Sequence, residues 1–503
     1  MKISPLHERA SPLKGDLASF FKLVNSNDPA TLQQAAELIL QIQEPFDALF
    51  EQCGVDHAGQ LLRSKHLSGT TTTQPVLDTL LAYQLSLAPS GSRADEIRRS
   101  ITKLQLELTS PVDIKGFDAL DQLEIRLAPD FKSPDLKWLG DLPALSTLSI
   151  GYRRPITKER LPSLLSLTGL SASNLTKLNL TAPTLTDLSA LENCTKLTRL
   201  DLTECSELEN LASMSKLLAL EELLLTECSN LSDLTPLAGL KSLRILSIQK
   251  CNALCSLAFA GALPSLEKLQ LSWNTGLTDL DFGVAMSSLL ELEIRGDSPT
   301  SLKGLELAPN LSKLSLTRHK ITSLEPLIGC SALDTLTLVW SEKLNDFEPL
   351  RSFKSLKNLK LNLNYSLPSD ISPLSDLSAL TNLNIEGPLK GKNVSYEPIA
   401  KLAGLTHLTL ASAAGMTDSK FFTSLSALER LEIARCDDFV DLTGLENHPN
   451  LTSIVLNGCE NIKDITPLTT IRSLKFLSMY GVKRPKGLKE LKSIKGLEIE
   501  IIT

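Results

Sequence analysis

The stretch LTECSELENL, residues 202–211, returns almost unchanged as LTECSNLSDL, residues 225–234. Seven of the ten residues are identical, and the two copies are offset by 23 residues. A repeat of this length predicts that the chain is assembled from copies of one structural unit. The spaced leucines of these two copies recur through most of the chain.

The recurring pattern is L-x-x-L-x-L, with Ile or Met also allowed, and it occurs eighteen times. Successive starts from Leu197 to Leu289 are 23 residues apart, as are those from Leu405 to Leu474. In LEELLL, residues 220–225, the alternation of a strand turns Leu223 and Leu225 towards a core. One unit cannot bury its leucines alone, so the units are expected to stack into a continuous column. The pattern starts at Ile101, Leu120, Leu145, Leu175, Leu197, Leu220, Leu243, Leu266, Leu289, Leu311, Leu333, Leu356, Leu380, Leu405, Leu428, Leu451, Leu474 and Ile494.

A second phrase, D-x-x-P-L, recurs between the strands, as in SDLTPL at residues 232–237 and SDISPL at residues 369–374. Its proline suits the first position of a helical turn, where no amide hydrogen is needed. Ser372 and Thr466 are predicted to cap such turns.

These phrases resemble the internalin-type leucine-rich repeats of bacteria over roughly the last four hundred residues. The resemblance implies an α/β solenoid, a horseshoe or arc of about 18 coils. Its parallel sheet would line the concave side, and short helical or 3-10 turns the convex side. It also implies a bacterial source. Internalins carry an export signal, and this sequence shows none.

Cysteines follow the last strand leucine by three residues in several repeats, where the family has Asn or Cys. The chain leaves the strand here, and its backbone groups need partners inside the solenoid. We therefore interpret these cysteines as a structural ladder, in which successive coils place one side chain at the same position. A metal cluster or disulfides are less favoured, since metal sites prefer local pairs such as C-x₂-C. The cysteines are Cys205, Cys228, Cys251, Cys436 and Cys459.

The first hundred residues follow another pattern. Apolar residues at helical spacing after Asp28-Pro29 predict an all-helical N-terminal domain over residues 1–97, with the solenoid over residues 98–503. This domain would cap the first coil, because an open solenoid end exposes apolar core. A dedicated role in partner binding is the alternative.

Composition and motifs narrow the function. A net charge of −7 argues against nucleic acid as the partner, and no apolar run approaches a membrane span. No catalytic motif is present, so we expect no enzyme, cofactor or metal. His319 and His407 fall on or beside the predicted concave face, four repeats apart and too far to meet. Without a signal peptide the expected location is the cytoplasm, although secretion by a signal-independent route stays open.

The favoured function is a non-enzymatic scaffold or regulatory subunit that binds a protein on the concave face. One alternative is a secreted bacterial effector that binds host proteins. Another is an enzyme whose activity resides in the helical domain, with the repeats as its substrate-recognition arm. A monomer is expected, with weak end-to-end dimerisation through the exposed final strand as the lesser hypothesis.

Six residues are predicted to form the partner-binding site. Two of the three tryptophans follow strands at equivalent repeat positions three units apart, with arginines in the units between. Trp and Arg are enriched at binding hot spots. The competing interpretation is that each indole only shields neighbouring loop atoms. The predicted site comprises Trp273, Trp340, Arg295, Arg318, Tyr152 and Arg435.

Overall fold

The computed structural model describes Ala82, Arg98, Arg99 and residues 101–502, except 109, 130, 153–162, 171–173, 342, 363–369, 388–394, 414 and 418. The helical domain predicted over residues 1–97 lies outside the described residues, apart from Ala82, which is helical. Its boundary and its role stay predictions. The chain divides into two compact units, Met1–Leu243 and Arg244–Thr503.

The first unit contains six described strands, each hydrogen-bonded in parallel to the next. Each strand begins two residues after a predicted pattern start, so the leucine pattern correctly placed all six. The strands are β1 (Lys103–Leu108), β2 (Gln122–Leu127), β3 (Thr147–Tyr152), β4 (Lys177–Thr181), β5 (Arg199–Thr203) and β6 (Glu222–Thr226).

The second unit contains twelve described strands in the same arrangement. The last predicted start, Ile494, is wrong by two residues. Leu477 pairs with Ile499, which places Gly496 at the first position of the pattern. The strands are β7 (Ile245–Gln249), β8 (Lys268–Ser272), β9 (Glu291–Arg295), β10 (Lys313–Thr317), β11 (Thr335–Val339), β12 (Asn358–Asn362), β13 (Asn382–Glu386), β14 (His407–Ala411), β15 (Arg430–Ala434), β16 (Ser453–Asn457), β17 (Phe476–Tyr480) and β18 (Glu498–Ile502).

The core lies directly beneath the strands. Leu223 and Leu225 of β6 are fully buried, while the alternating residues Glu222 and Leu224 are partly exposed, as the strand pattern predicted. The same alternation holds in most of the strands. Burying one leucine stabilises the fold by roughly 1.5–3 kcal/mol relative to leaving it exposed. The described part of the chain therefore has the fold of a leucine-rich repeat solenoid.

Short 3-10 turns follow most strands, as the proline phrase predicted. The described residues also hold one short α-helix, α1 (Leu488–Lys492). The 3-10 turns are η1 (Lys137–Leu139), η2 (Ser189–Asn193), η3 (Ala212–Lys216), η4 (Thr235–Gly239), η5 (Ala258–Ala262), η6 (Leu305–Leu307), η7 (Glu325–Gly329), η8 (Glu348–Ser352), η9 (Ser372–Asp376), η10 (Glu397–Lys401), η11 (Lys420–Ser424), η12 (Thr443–Leu445) and η13 (Thr466–Thr470).

The caps of these turns differ from the prediction. Ser372 and Thr466 do not accept a capping bond; instead their backbone amides donate to Asp370 at 2.7 Å and to Asp464 at 2.8 Å. The aspartate two residues earlier makes an Asx turn, which explains the first letter of D-x-x-P-L. Hydrogen bonds from the Thr466 hydroxyl and amide lower the pKa of the Asp464 carboxyl to about 2.

The cysteine ladder is confirmed as a structural feature. The Sγ atoms of Cys228 and Cys459 lie 3.5 Å from backbone carbonyl oxygens of the preceding coil, Leu202 O and Ile433 O. Burial raises the pKa of the Cys436 thiol to about 11, so the thiol keeps its proton. Asn274, at the same repeat position, bonds more strongly to its neighbours. Its Nδ2 donates to Ile248 O at 2.8 Å.

Replacing Asn274 tests this ladder. The residue is 1% exposed, and its Oδ1 also accepts the Cys251 amide at 2.9 Å. Asn274→Ala removes both bonds and should lower the free energy of unfolding by about 2 kcal/mol. Asn274→Cys replaces both bonds by weaker sulfur contacts, as at Cys436, whose Sγ accepts the Ala413 amide at 3.4 Å, and should cost about 1 kcal/mol. Chemical denaturation of the two variants measures the difference; equal stability would contradict a bonding role for this side chain.

Candidate partner-binding surface

The outward face of the sheet carries the first side chain of each strand. These side chains are all at least partly exposed, as the alternation of the strands predicts. Their charges are largely balanced between neighbouring strands. Glu291 Oε1 is 2.6 Å from Lys313 Nζ, and Glu291 Oε2 is 3.3 Å from Lys268 Nζ. The hydrogen bond from Lys313 lowers the pKa of the Glu291 carboxyl. The outward residues are Lys177, Arg199, Glu222, Ile245, Lys268, Glu291, Lys313, Thr335, Asn358, Asn382, His407 and Arg430.

The outward face of β11–β14 is a shallow depression lined mainly by amide and hydroxyl groups. Asn382 Nδ2 donates to Asn358 Oδ1 at 2.5 Å, and Asn358 Nδ2 donates to Thr335 Oγ1 at 3.2 Å. These bonds join side chains on three successive strands. The outward side chains of this depression therefore carry little charge. Its outward side chains are Thr335, Thr337, Asn358, Lys360, Asn382, Asn384, His407 and Thr409.

A row of residues in the left-handed backbone conformation follows the strands. This conformation turns the amide N–H of each residue towards the next strand. Trp273 N donates to Arg295 O at 2.8 Å, and Trp340 N donates to Asn362 O at 2.7 Å. Holding a non-glycine residue here costs roughly 1–2 kcal/mol. We call the members in the second unit the left-handed row: Lys250, Trp273, Gly296, Arg318, Trp340, Gly387, Ser412, Arg435, Gly458 and Gly481.

Three of the six predicted site residues meet in this row. The guanidinium carbon of Arg318 lies over the Trp340 ring, 4.4 Å from its centroid, and 6.0 Å from the centroid of the Trp273 ring. Both distances permit cation–π attraction. The indoles stay 37% exposed for Trp273 and 39% exposed for Trp340. We call Trp273, Arg318 and Trp340 the tryptophan–arginine cluster.

Gly296 makes room for this cluster. It lies in the left-handed row in the coil between Trp273 and Arg318, with a φ of 101°. A Cβ at this position would lie 2.7 Å from Cε3 of the Trp273 ring. The missing side chain therefore lets the indole of Trp273 extend along the row towards Arg318. This role of Gly296 was not predicted, although a glycine between the predicted site residues is a signal that the sequence contains.

The other three predicted residues lie apart from the cluster or are already bonded. Arg295 pairs with Glu293 on its own strand at 2.6 Å. Arg435 extends back to Glu386, with Nη2 and Oε1 2.6 Å apart. Tyr152 belongs to the first unit, where its hydroxyl is buried with no hydrogen-bond partner among the described residues. Their assignment as partner-binding residues stays a prediction.

The two histidines have different environments. His407 is partly exposed in the depression of β11–β14, as expected. His319 is fully buried and occupies the ladder position of Asn274, so its placement on or beside the sheet face was wrong. Neither of its ring nitrogens has a hydrogen-bond partner within the described part of the chain. Burial lowers the pKa of His319 to about 4.

The described residues contain no helix with the length and hydropathy required to cross a membrane. They also contain no group of three or more His, Cys, Asp or Glu side chains arranged to hold a metal ion.

Comparisons with known proteins complete the description. No protein-family profile matches the chain, and no curated protein matches it. Among solved structures, an internalin of Listeria monocytogenes is 20% identical, with 80% of this chain and 94% of that chain covered and a TM-score of 0.39. A leucine-rich repeat protein of Leptospira interrogans is 20% identical, with 83% and 94% covered and a TM-score of 0.48. The TLR13 chain of a TLR13–ssRNA13 complex is 18% identical, with 80% and 74% covered and a TM-score of 0.44. The spaced leucines, the parallel strands and the 3-10 turns of this chain are those of a leucine-rich repeat fold.

Proposed function

We propose that this protein is a non-enzymatic interaction scaffold or regulatory subunit. It binds a protein partner on the outward face of the second unit, with the tryptophan–arginine cluster at the centre of the contact. The main support for this proposal is the pair of partly exposed indoles on either side of Arg318. Aromatic residues make up only 4% of this chain, which makes their placement together informative.

The conformation of the cluster favours binding. Arg318 contacts both rings, and Trp273 lies along Gly296, so these large side chains are already ordered before a partner arrives. Ordering a flexible side chain on binding costs about 0.5–1.5 kcal/mol, and the cluster avoids much of that cost. The indole area left exposed is then available for a partner to bury.

The neighbouring surface supports a protein partner over a polyanion. Lys268 and Lys313 both pair with Glu291, and the outward side chains of β11–β14 are mainly amides and hydroxyls. A nucleic-acid site would need unpaired basic side chains along the groove. A cluster of aromatic and arginine side chains beside a polar surface is instead the usual composition of a protein–protein contact.

A double variant tests this function. Trp273→Ala with Trp340→Ala should reduce recovery of the partner at least tenfold, because hot-spot residues each contribute about 2 kcal/mol or more. The measurement is affinity capture by the full chain from the native cell lysate, quantified by mass spectrometry. The melting temperature of the double variant should stay near that of the wild type, because the indoles lie outside the leucine core.

Tyr480→Ala is the matched control, since Tyr480 is an exposed aromatic at the end of β17. Its capture profile should equal that of the wild type. Unchanged capture by the double tryptophan variant would contradict the proposed site. A collapse of its melting temperature would show that the indoles serve folding instead.

A further inference from the structure

Arg318 differs from the other arginines predicted to form the site. Arg295 and Arg435 are both neutralised by glutamates, at 2.6 Å in each case. Within the described part of the chain, the guanidinium of Arg318 makes no ion pair or hydrogen bond, and its contacts are the two indole rings. A guanidinium carries five N–H donors in a fixed plane. These donors are therefore available to a ligand.

The two rings fix the cation without neutralising it. Contact with the ring faces restricts the rotamers of the long Arg318 side chain. A restricted guanidinium loses less entropy when it forms a bidentate bond. Its planar pair of donors matches the two oxygens of a carboxylate or a phosphate.

The charges around Arg318 favour the singly charged ligand. The neighbouring cations are already paired, Lys313 with Glu291 at 2.6 Å and Lys320 with Asp297 at 2.8 Å. Arg318 thus adds one positive charge that these pairs do not neutralise. A carboxylate brings one negative charge and balances the charge of Arg318 alone, whereas a phosphate monoester brings up to two.

We propose that Arg318, held between Trp273 and Trp340, binds a carboxylate of the partner protein through a bidentate hydrogen-bonded ion pair. The carboxylate belongs to an Asp or Glu side chain or to a chain terminus. This inference rests on the proposed function and adds the chemistry that the partner must present.

A peptide array tests the inference with the full-length chain. Short random-sequence peptides are synthesised with amidated and with free C-termini, and a third set carries phosphoserine. The tightest ligands should contain Asp or Glu, or require the free terminus. Changing that Glu to Gln, or amidating that terminus, should weaken binding by about tenfold or more.

A double-mutant cycle links the effect to the arginine. Arg318→Gln should weaken binding of the unchanged peptide by the same factor. In that variant, the Glu to Gln change in the peptide should weaken binding no further. Arg318→Lys should bind more tightly than Arg318→Gln but less tightly than the wild type. The lysine ammonium keeps the positive charge but lacks the planar pair of N–H donors of a guanidinium. Arg351→Gln removes a paired arginine of turn η8, outside the predicted site, and should bind as the wild type does.

Three outcomes would overturn the inference: additive effects in the cycle, ligands that need no carboxylate, or a preference for phosphoserine. An array that yields no ligand for the wild type would overturn it as well. None of these results decides the proposed function, which depends on capture of a whole protein and its loss in the double tryptophan variant. The two ideas therefore fail separately.

Discussion

Acidification from pH 6.5 to pH 4 should remove about 3 kcal/mol from the free energy of unfolding of the second unit through His319 alone. The imidazole is fully buried, and burial lowers its pKa from 6.5 to about 4. Between these values the unfolded chain binds a proton that the folded chain does not. The free energy of unfolding is therefore highest above pH 6.5, where His319 is neutral in both states. It decreases as the pH falls towards 4, because protonation then stabilises the unfolded chain.

His319→Asn isolates this effect. Asparagine occupies the same ladder position at residue 274. There its carboxamide both accepts a hydrogen bond from the preceding coil and donates one to it. The variant should lose most of the pH dependence in this window. The remainder comes from His448, whose pKa burial also lowers, and from carboxyls such as Glu291 and Asp464, whose pKa values hydrogen bonds lower. Chemical denaturation across the window measures the slope for each protein.

His407→Asn controls for the loss of an imidazole, because His407 lies on the outward face of β14. It should keep the slope of the wild type. A wild-type protein whose stability is flat between pH 6.5 and pH 4 would show that His319 gains a partner or becomes hydrated in solution.

The fold was predictable because one physical requirement repeats in every unit. Leucines must point inward at strand spacing, and that spacing is written directly in the sequence. The role of Asp370 and Asp464 as caps was also readable, since Asp bonds its own backbone two residues on. The final strand was misplaced because Gly496 stands where the pattern has leucine.

The candidate site was predictable only in part. The repeat positions of Trp273 and Arg318 followed from the sequence, but their contact depends on rotamers and on the space above Gly296. The left-handed row was hidden because Lys, Trp and Arg rarely adopt positive φ. Arg435 pairs with Glu386, which is 49 residues away, and no local pattern indicates that bond.

Glycines replace the turn proline in two coils, where a side chain would meet the preceding coil. Gly304 and Gly444 occupy the position that proline holds at residues 236, 349, 373 and 467. A Cβ on Gly304 would lie 1.9 Å from Leu280 O, and a Cβ on Gly444 would lie 2.0 Å from Ser419 O. Their turns, η6 and η12, have three residues where the proline turns have five.

Gly304→Ala should therefore destabilise the second unit by about 4 kcal/mol, because the backbone must shift and the φ of 104° is strained for alanine. Gly304→Pro matches the other repeats but should destabilise at least as much, because proline requires a φ near −65°. Gly404→Ala is the control, since its Cβ would lie 3.8 Å from the nearest atom. It should change the stability by less than about 1 kcal/mol. Thermal and chemical denaturation of the three variants decide the matter. A Gly304→Pro protein as stable as the wild type would mean that this coil accepts the same turn as its neighbours, and that the close approach to Leu280 does not constrain residue 304.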